Sequence, residues 1–110
     1  VGETIRQVVA DALTRGELRD PRIGLVTVTR VDVSGDLSHA RVYVSPQGDD
    51  AERTRALEGL QSASGFLRSM VARVLTTRSV PELHIELDRG LEHSQRIDQL
   101  LAELRREESH

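Results

Sequence analysis

The sequence predicts an α+β domain in which helices cover one face of a small three-stranded sheet, in the order α-β-β-α-(kink)-α-β-α. Three observations lead there. Apolar residues recur at helical spacing near the start, through the middle and at the end of the chain. Three shorter runs rich in Val, Ile, Thr and Leu lie between them and read as strands. The 110 residues contain no repeat and no linker, and a chain of that length forms one core that removes roughly two-thirds of its unfolded surface from water. Residues 1–110 are therefore expected to form a single domain.

In the first segment Ile5, Val8, Val9, Ala12 and Leu13 line one side of a helix from Thr4 to Arg15, with Arg6, Gln7 and Asp11 on the other. Gly16 suits the left-handed residue that follows a helix, and Asp20-Pro21 forces an extended turn. Leu25 to Val33 is Val- and Thr-rich and reads as a strand, although its buried face is ambiguous. Ser38 to Val44 alternates Ala40, Val42 and Val44 against His39, Arg41 and Tyr43. Ser34-Gly35-Asp36 is turn chemistry, so the two strands should pair as an antiparallel hairpin.

Asp49, Asp50 and Glu52 fall at the start of the next helix, where acids complement the helix dipole, so they read as caps and not as catalysts. Helical periodicity runs through Ala56, Leu57 and Leu60, breaks at Ala63-Ser64-Gly65, and resumes in Phe66, Leu67, Met70, Val71, Val74 and Leu75. A glycine inside a helix costs about 1 kcal/mol relative to alanine, and the adjacent serine offers a competing hydrogen bond, so a kink between two helices is expected. Leu83, Ile85 and Leu87 alternate with His84, Glu86 and Asp88 as a third strand. Ile97, Leu100, Leu101 and Leu104 mark a last amphipathic helix, and residues 105–110 read as a frayed polar tail.

Composition narrows the function classes. There is no cysteine, hence no disulfide framework or thiolate chemistry, and a cytoplasmic location is expected. No stretch approaches the roughly 18 apolar residues of a membrane span, so no membrane association is expected. A net charge of −3 argues against indiscriminate nucleic-acid binding, which needs many phosphates neutralised at once. All 15 basic residues are arginine and lysine is absent, a bias that reads as genome composition more than as design for recognition.

Four segments together resemble the ribosome-binding factor A family, whose fold is a type II KH-like domain. They are Asp20-Pro21-Arg22-Ile23-Gly24; Val31 to Val44, with Ser34, Asp36, Leu37, Ala40 and Val42-Tyr43-Val44; Ala63-Ser64-Gly65-Phe66-Leu67-Arg68; and Arg78-Ser79-Val80-Pro81-Glu82-Leu83. A conventional KH domain clamps RNA with a Gly-x-x-Gly loop, and no two glycines here are three apart. In the family that loop is replaced by an Ala-x-Gly kink, and Ala63-Ser64-Gly65 stands at the corresponding point. The resemblance implies a factor that binds the immature small ribosomal subunit, the 30S particle, and its 16S ribosomal RNA. It further implies promotion of late maturation, including processing of the RNA's 5′ end, a link to growth in the cold, and release with help from a GTPase. A monomer is expected.

The physical candidates for RNA contact are arginines near the kink, because guanidinium groups make forked hydrogen bonds to phosphate and stack on bases. Arg68 and Arg73 flank opposite sides of the apolar stripe, with both heads expected to be free, and Arg78 follows. A solvated helix rim is the alternative for each. Ser64 and Gly65 either present backbone N–H groups to a phosphate at a helix start or serve only the bend. Arg22, Arg30 and Arg41 would extend a basic surface along the hairpin. Tyr43 reads as packed at a sheet edge, with base stacking as the alternative, and Phe66 reads as core.

An enzyme is not expected. His39, His84, His93 and His110 have no partner at metal-ligand spacing along the chain, there is no Gly-x-Ser-x-Gly elbow, and no glycine-rich phosphate loop occurs. No cofactor or metal is therefore expected. The competing function class is a KH-like protein-interaction module with little direct RNA binding.

Overall fold

The computed structural model describes residues 1–76 and 79–108. The chain runs α1 (Gly2–Thr14), β1 (Val26–Val33), β2 (His39–Pro46), α2 (Asp50–Ser62), α3 (Ser64–Val74), β3 (Glu82–Leu87) and α4 (Arg89–Glu108). Strand order is β1-β2-β3, with β1 antiparallel and β3 parallel to the central β2. The crossover from β2 to β3 is the kinked pair α2–α3, which gives the α+β, KH-like arrangement.

Local chemistry sets the boundaries. Gly16 takes φ +66° just past the end of α1, a left-handed conformation that spares the last carbonyls an awkward exit. In the hairpin turn, the Asp36 carboxylate accepts from the Ser34 and Ser38 hydroxyls (2.8 and 2.7 Å) and from the Ser38 backbone N–H (3.1 Å). Those bonds, the Ser38 hydroxyl first, pull the Asp36 carboxyl from 3.8 down to about 2. Asp49 caps α2, accepting from the Glu52 N–H at 2.8 Å while the Glu52 carboxylate reaches back to the Asp49 N–H.

The ambiguous face of β1 has a physical cause. Val28 pairs with Val44 but Arg30 pairs with Tyr43, so Thr29 is an extra residue that bulges the strand. The bulge shifts the side-chain phase: Val26 and Val28 face the core before it, Val31 and Val33 after it. The Thr29 hydroxyl bonds the Tyr43 carbonyl (3.2 Å) and the Asp88 carboxylate (2.6 Å), tying the bulge to the end of β3.

Helices α1, α2 and α3 pack on one face of the sheet. Ile5, Val9, Ala12, Ala40, Val42, Val44, Leu60, Leu67 and Val71 are fully buried, joined by Val28, Leu83 and Ile85. No polar side chain is buried among the described residues. Gly59, on α2, is also buried: a Cβ there would meet Ile23 Cγ1 at 2.8 Å. Its missing side chain lets the Asp20–Ile23 turn lie directly on α2.

One expectation about the core fails: Phe66 is not core but about half exposed, because the α3 stripe that meets the sheet is centred on Leu67 and Val71. Helix α4 continues to Glu108, residues 109–110 of the polar tail lie outside the described residues, and every described side chain from Ile97 to Arg106 is exposed. No described helix is long and apolar enough to cross a membrane.

Candidate nucleic-acid interface

Ala63, at φ −89° and ψ 2°, separates α2 from α3, and its N–H still bonds the Gly59 and Leu60 carbonyls. The bend is therefore a hydrogen-bonded joint and not an open loop. No side chain caps the start of α3. Ser64 is half-buried, while Gly65 is exposed with nothing within 4 Å of where a Cβ would stand. The uncapped helix start is thus open to close approach of an anionic group.

Phe66 follows directly. Residues seven apart on a helix lie within about 20° of one another and about 10 Å apart along the axis, so Phe66 and Arg73 share one flank of α3. Both are exposed, with Ser69 between them. That flank presents an aromatic ring and a cation, a pairing suited to stacking on a base and contacting a phosphate.

The other predicted arginines are distributed differently. Arg68 is on the opposite flank and its head is not free: Nη2 and Nε donate to the Val80 carbonyl at 2.8 and 3.3 Å, fastening α3 to the approach to β3. Arg22 is clamped by Asp20 through Nη2 and Nε (2.6–3.1 Å) and reaches Ser62 Oγ at 3.4 Å. The Arg22 guanidinium, then its backbone N–H, draw the Asp20 carboxyl from 3.8 to about 2. Arg22 thereby braces the end of α2 beside the kink. Arg78 lies outside the described residues.

Arg30 and Arg41 point away from the helices, on the open face of the sheet. Arg30 sits 4.3 Å over the Tyr43 ring and 3.9 Å from Asp32, and Arg41 is 4.0 Å from Glu86. Tyr43 is half-buried on the central strand, beneath that guanidinium, and not at a sheet edge. The structure therefore does not unite all the predicted residues: Ser64, Gly65 and Arg73 belong to α3, whereas Arg30 and Arg41 occupy the opposite side of the sheet. The open face also brings His39 and His84 together, with Nδ1 and Nε2 3.0 Å apart.

A family model described as Ribosome-binding factor A matches residues 1–101. The chain belongs to the ribosome-binding factor A family. It is 49% identical over 107 residues to ribosome-binding factor A of Thermomicrobium roseum, covering 97% of this chain and 82% of that one. It is 41% identical over 108 residues to that of Halothermothrix orenii, covering 98% and 88%. Among solved structures, the crystal structure of ribosome-binding factor A from Thermus thermophilus is similar with a TM-score of 0.66 and 30% identity, over 80% of this chain and 92% of that one. A homology model of the Thermus thermophilus factor, fitted into a cryo-EM map of its complex with the 30S subunit, is similar with a TM-score of 0.62 and 30% identity, over 78% and 89%.

In this member of the ribosome-binding factor A family, sequence reasoning missed two features. Phe66 was hidden because an apolar residue at helical spacing reads as core, and only the position of the stripe centre separates it from Leu67. The His39–His84 contact was hidden because it depends on the register between β2 and β3, which spacing along the chain does not contain.

Proposed function

We propose that this chain binds the small ribosomal subunit during assembly and contacts its 16S ribosomal RNA. In this reading it promotes late maturation, including processing of the RNA's 5′ end, without catalysing a reaction itself. The observation that carries the reading is the likeness to the Thermus thermophilus factor as fitted in its 30S complex. The protein then acts in the cytoplasm as a monomer and is released with help from a GTPase.

The N-terminal end of α3 at Ser64 and Gly65, together with the flank that carries Phe66 and Arg73, is the RNA-facing surface in this reading. Backbone N–H groups at the helix start take a phosphate, Phe66 stacks on an unpaired base, and Arg73 adds a charged contact. Arg22 and Arg68 act indirectly, holding the kink and the β3 approach in place. Arg30 and Arg41, matched with nearby acids on the far face, contribute little. A factor of this kind works by differential affinity: it must bind the immature particle more tightly than the mature one, since equal affinity shifts no equilibrium.

The test is sedimentation of the protein with immature and mature small subunits across a salt series, comparing wild type with a Phe66→Ala/Arg73→Ala variant. The expected result is selective co-sedimentation with immature particles, weakened in the variant and with a shallower salt dependence. Absence of association with either particle would overturn the assignment. Association that the variant retains at every salt concentration would favour the protein-interaction module.

A further inference from the structure

The open face of the sheet holds one constellation that RNA contact at α3 does not use. His39 lies on β2 and Glu82 and His84 on β3, and one ligand-capable atom from each falls within 4.8 Å of the others. His39 Nδ1 is 3.0 Å from His84 Nε2 and 3.9 Å from Glu82 Oε2. The three come from positions up to 45 residues apart, brought together by the pairing of His39 with Glu82 in the parallel ladder.

We propose that His39, Glu82 and His84 form a binding site for a single borderline divalent cation of the zinc, nickel or copper(II) type. Two imidazoles and one carboxylate are a donor set that suits such ions, whereas magnesium and calcium favour all-oxygen shells. Metal–nitrogen bonds of about 2.0–2.1 Å at a tetrahedral angle require donor atoms about 3.3 Å apart, so a small rotation of the rings admits the ion. The two facing nitrogens must both be unprotonated. Each neutral ring then carries its proton on its other nitrogen, and the ion replaces the hydrogen that joins them.

The backbone beneath is already fixed. The Glu82 N–H donates to the Ser38 carbonyl at 3.0 Å, the Ser34 N–H to the His39 carbonyl at 2.8 Å, and the His39 N–H to Ser34 Oγ at 3.0 Å. Ligands carried on paired strands lose less freedom on binding than ligands on a loop. Asp32 and Glu86 line the same hollow and add negative potential, which Arg41 only partly offsets. All three ligands are exposed, so the remaining coordination positions face solvent.

Calorimetric titration of the untagged full chain with zinc chloride tests this, with magnesium chloride as control and His39→Gln, His84→Gln and His93→Gln/His110→Gln variants alongside. Circular dichroism establishes that each variant is folded, as expected at the exposed His39 and His84. The site predicts saturation near one zinc per chain and no magnesium uptake. Affinity should fall at least about tenfold in either strand variant, the scale on which even groups that merely support metal ligands act, and should persist in the His93→Gln/His110→Gln protein. Absence of saturable zinc binding, or binding of unchanged affinity in His39→Gln and His84→Gln, would overturn it.

Discussion

In α3, Leu67 and Val71 are fully buried between the sheet and α1, whereas in α4 Ile97, Leu100, Leu101 and Leu104 recur at similar spacing and all are exposed. Both patterns specify a helix, and both helices form. They differ in whether a surface remains for the apolar stripe to meet. The β2–β3 crossover lays α2 and α3 on one face of three strands, and α1 completes that layer, so the covered face is full before α4 begins. The molecule accordingly extends 62 Å along its longest axis against 32 and 19 Å along the others. Helical periodicity thus reports local conformation, while burial is decided by topology.

Substitutions in the two helices and beside them should differ in effect accordingly. Leu67→Ala removes side-chain volume from the packed core and should cost about 2–5 kcal/mol of unfolding free energy in urea denaturation. Gly59→Ala is the next most damaging. Alanine improves intrinsic helix propensity by about 1 kcal/mol, but its Cβ would lie 2.8 Å from Ile23 Cγ1, and overpacking of this kind costs about 1–3 kcal/mol. A net loss of stability is expected, whereas a gain would mean that the Asp20–Ile23 turn yields freely.

A smaller effect should appear in acid. Asp20 and Asp36 both have carboxyls lowered from 3.8 to about 2 in the folded protein. A folded-state value below the unfolded one stabilises the fold fully above about pH 4, and that contribution is lost as pH falls through 4 toward 2. Denaturation midpoints measured between pH 5 and pH 2 should therefore fall less steeply in an Asp20→Asn/Asp36→Asn variant. The smallest effect belongs to α4: Leu100→Ala should change stability by no more than about 0.5 kcal/mol, as for other exposed positions. A loss comparable to that of Leu67→Ala would show that α4 packs on the body.

Much of this architecture is legible in the sequence because its signals are local. Gly16, the Ser34–Ser38 turn, the Asp49–Glu52 capping box and the Ala63 joint each follow from residues within a few positions of one another. What escapes depends on partners far along the chain. Thr29 bulges β1 and conceals its buried face, Gly59 looks like an ordinary helix residue until Ile23 is placed on it, and Arg68 looks free until Val80 arrives. The candidate RNA surface is legible in the same proportion: the helix start at Ser64 and Gly65 and the exposed Arg73 follow from local spacing, whereas placing Phe66 beside Arg73 on the outer flank requires knowledge of which residues face the sheet.

Equilibrium binding to immature small subunits at one fixed salt concentration separates the two sides of the molecule most directly. Phe66→Ala/Arg73→Glu alters the outer flank of α3, and Arg41→Glu makes a like charge change on the open face of the sheet. The α3 variant should lose affinity at least about fivefold, the lower end of what removing stacking worth about 1–3 kcal/mol per base costs, while Arg41→Glu should bind near wild type. Loss confined to Arg41→Glu, with the α3 variant unaffected, would contradict this and move the RNA-facing surface to the open face of the sheet.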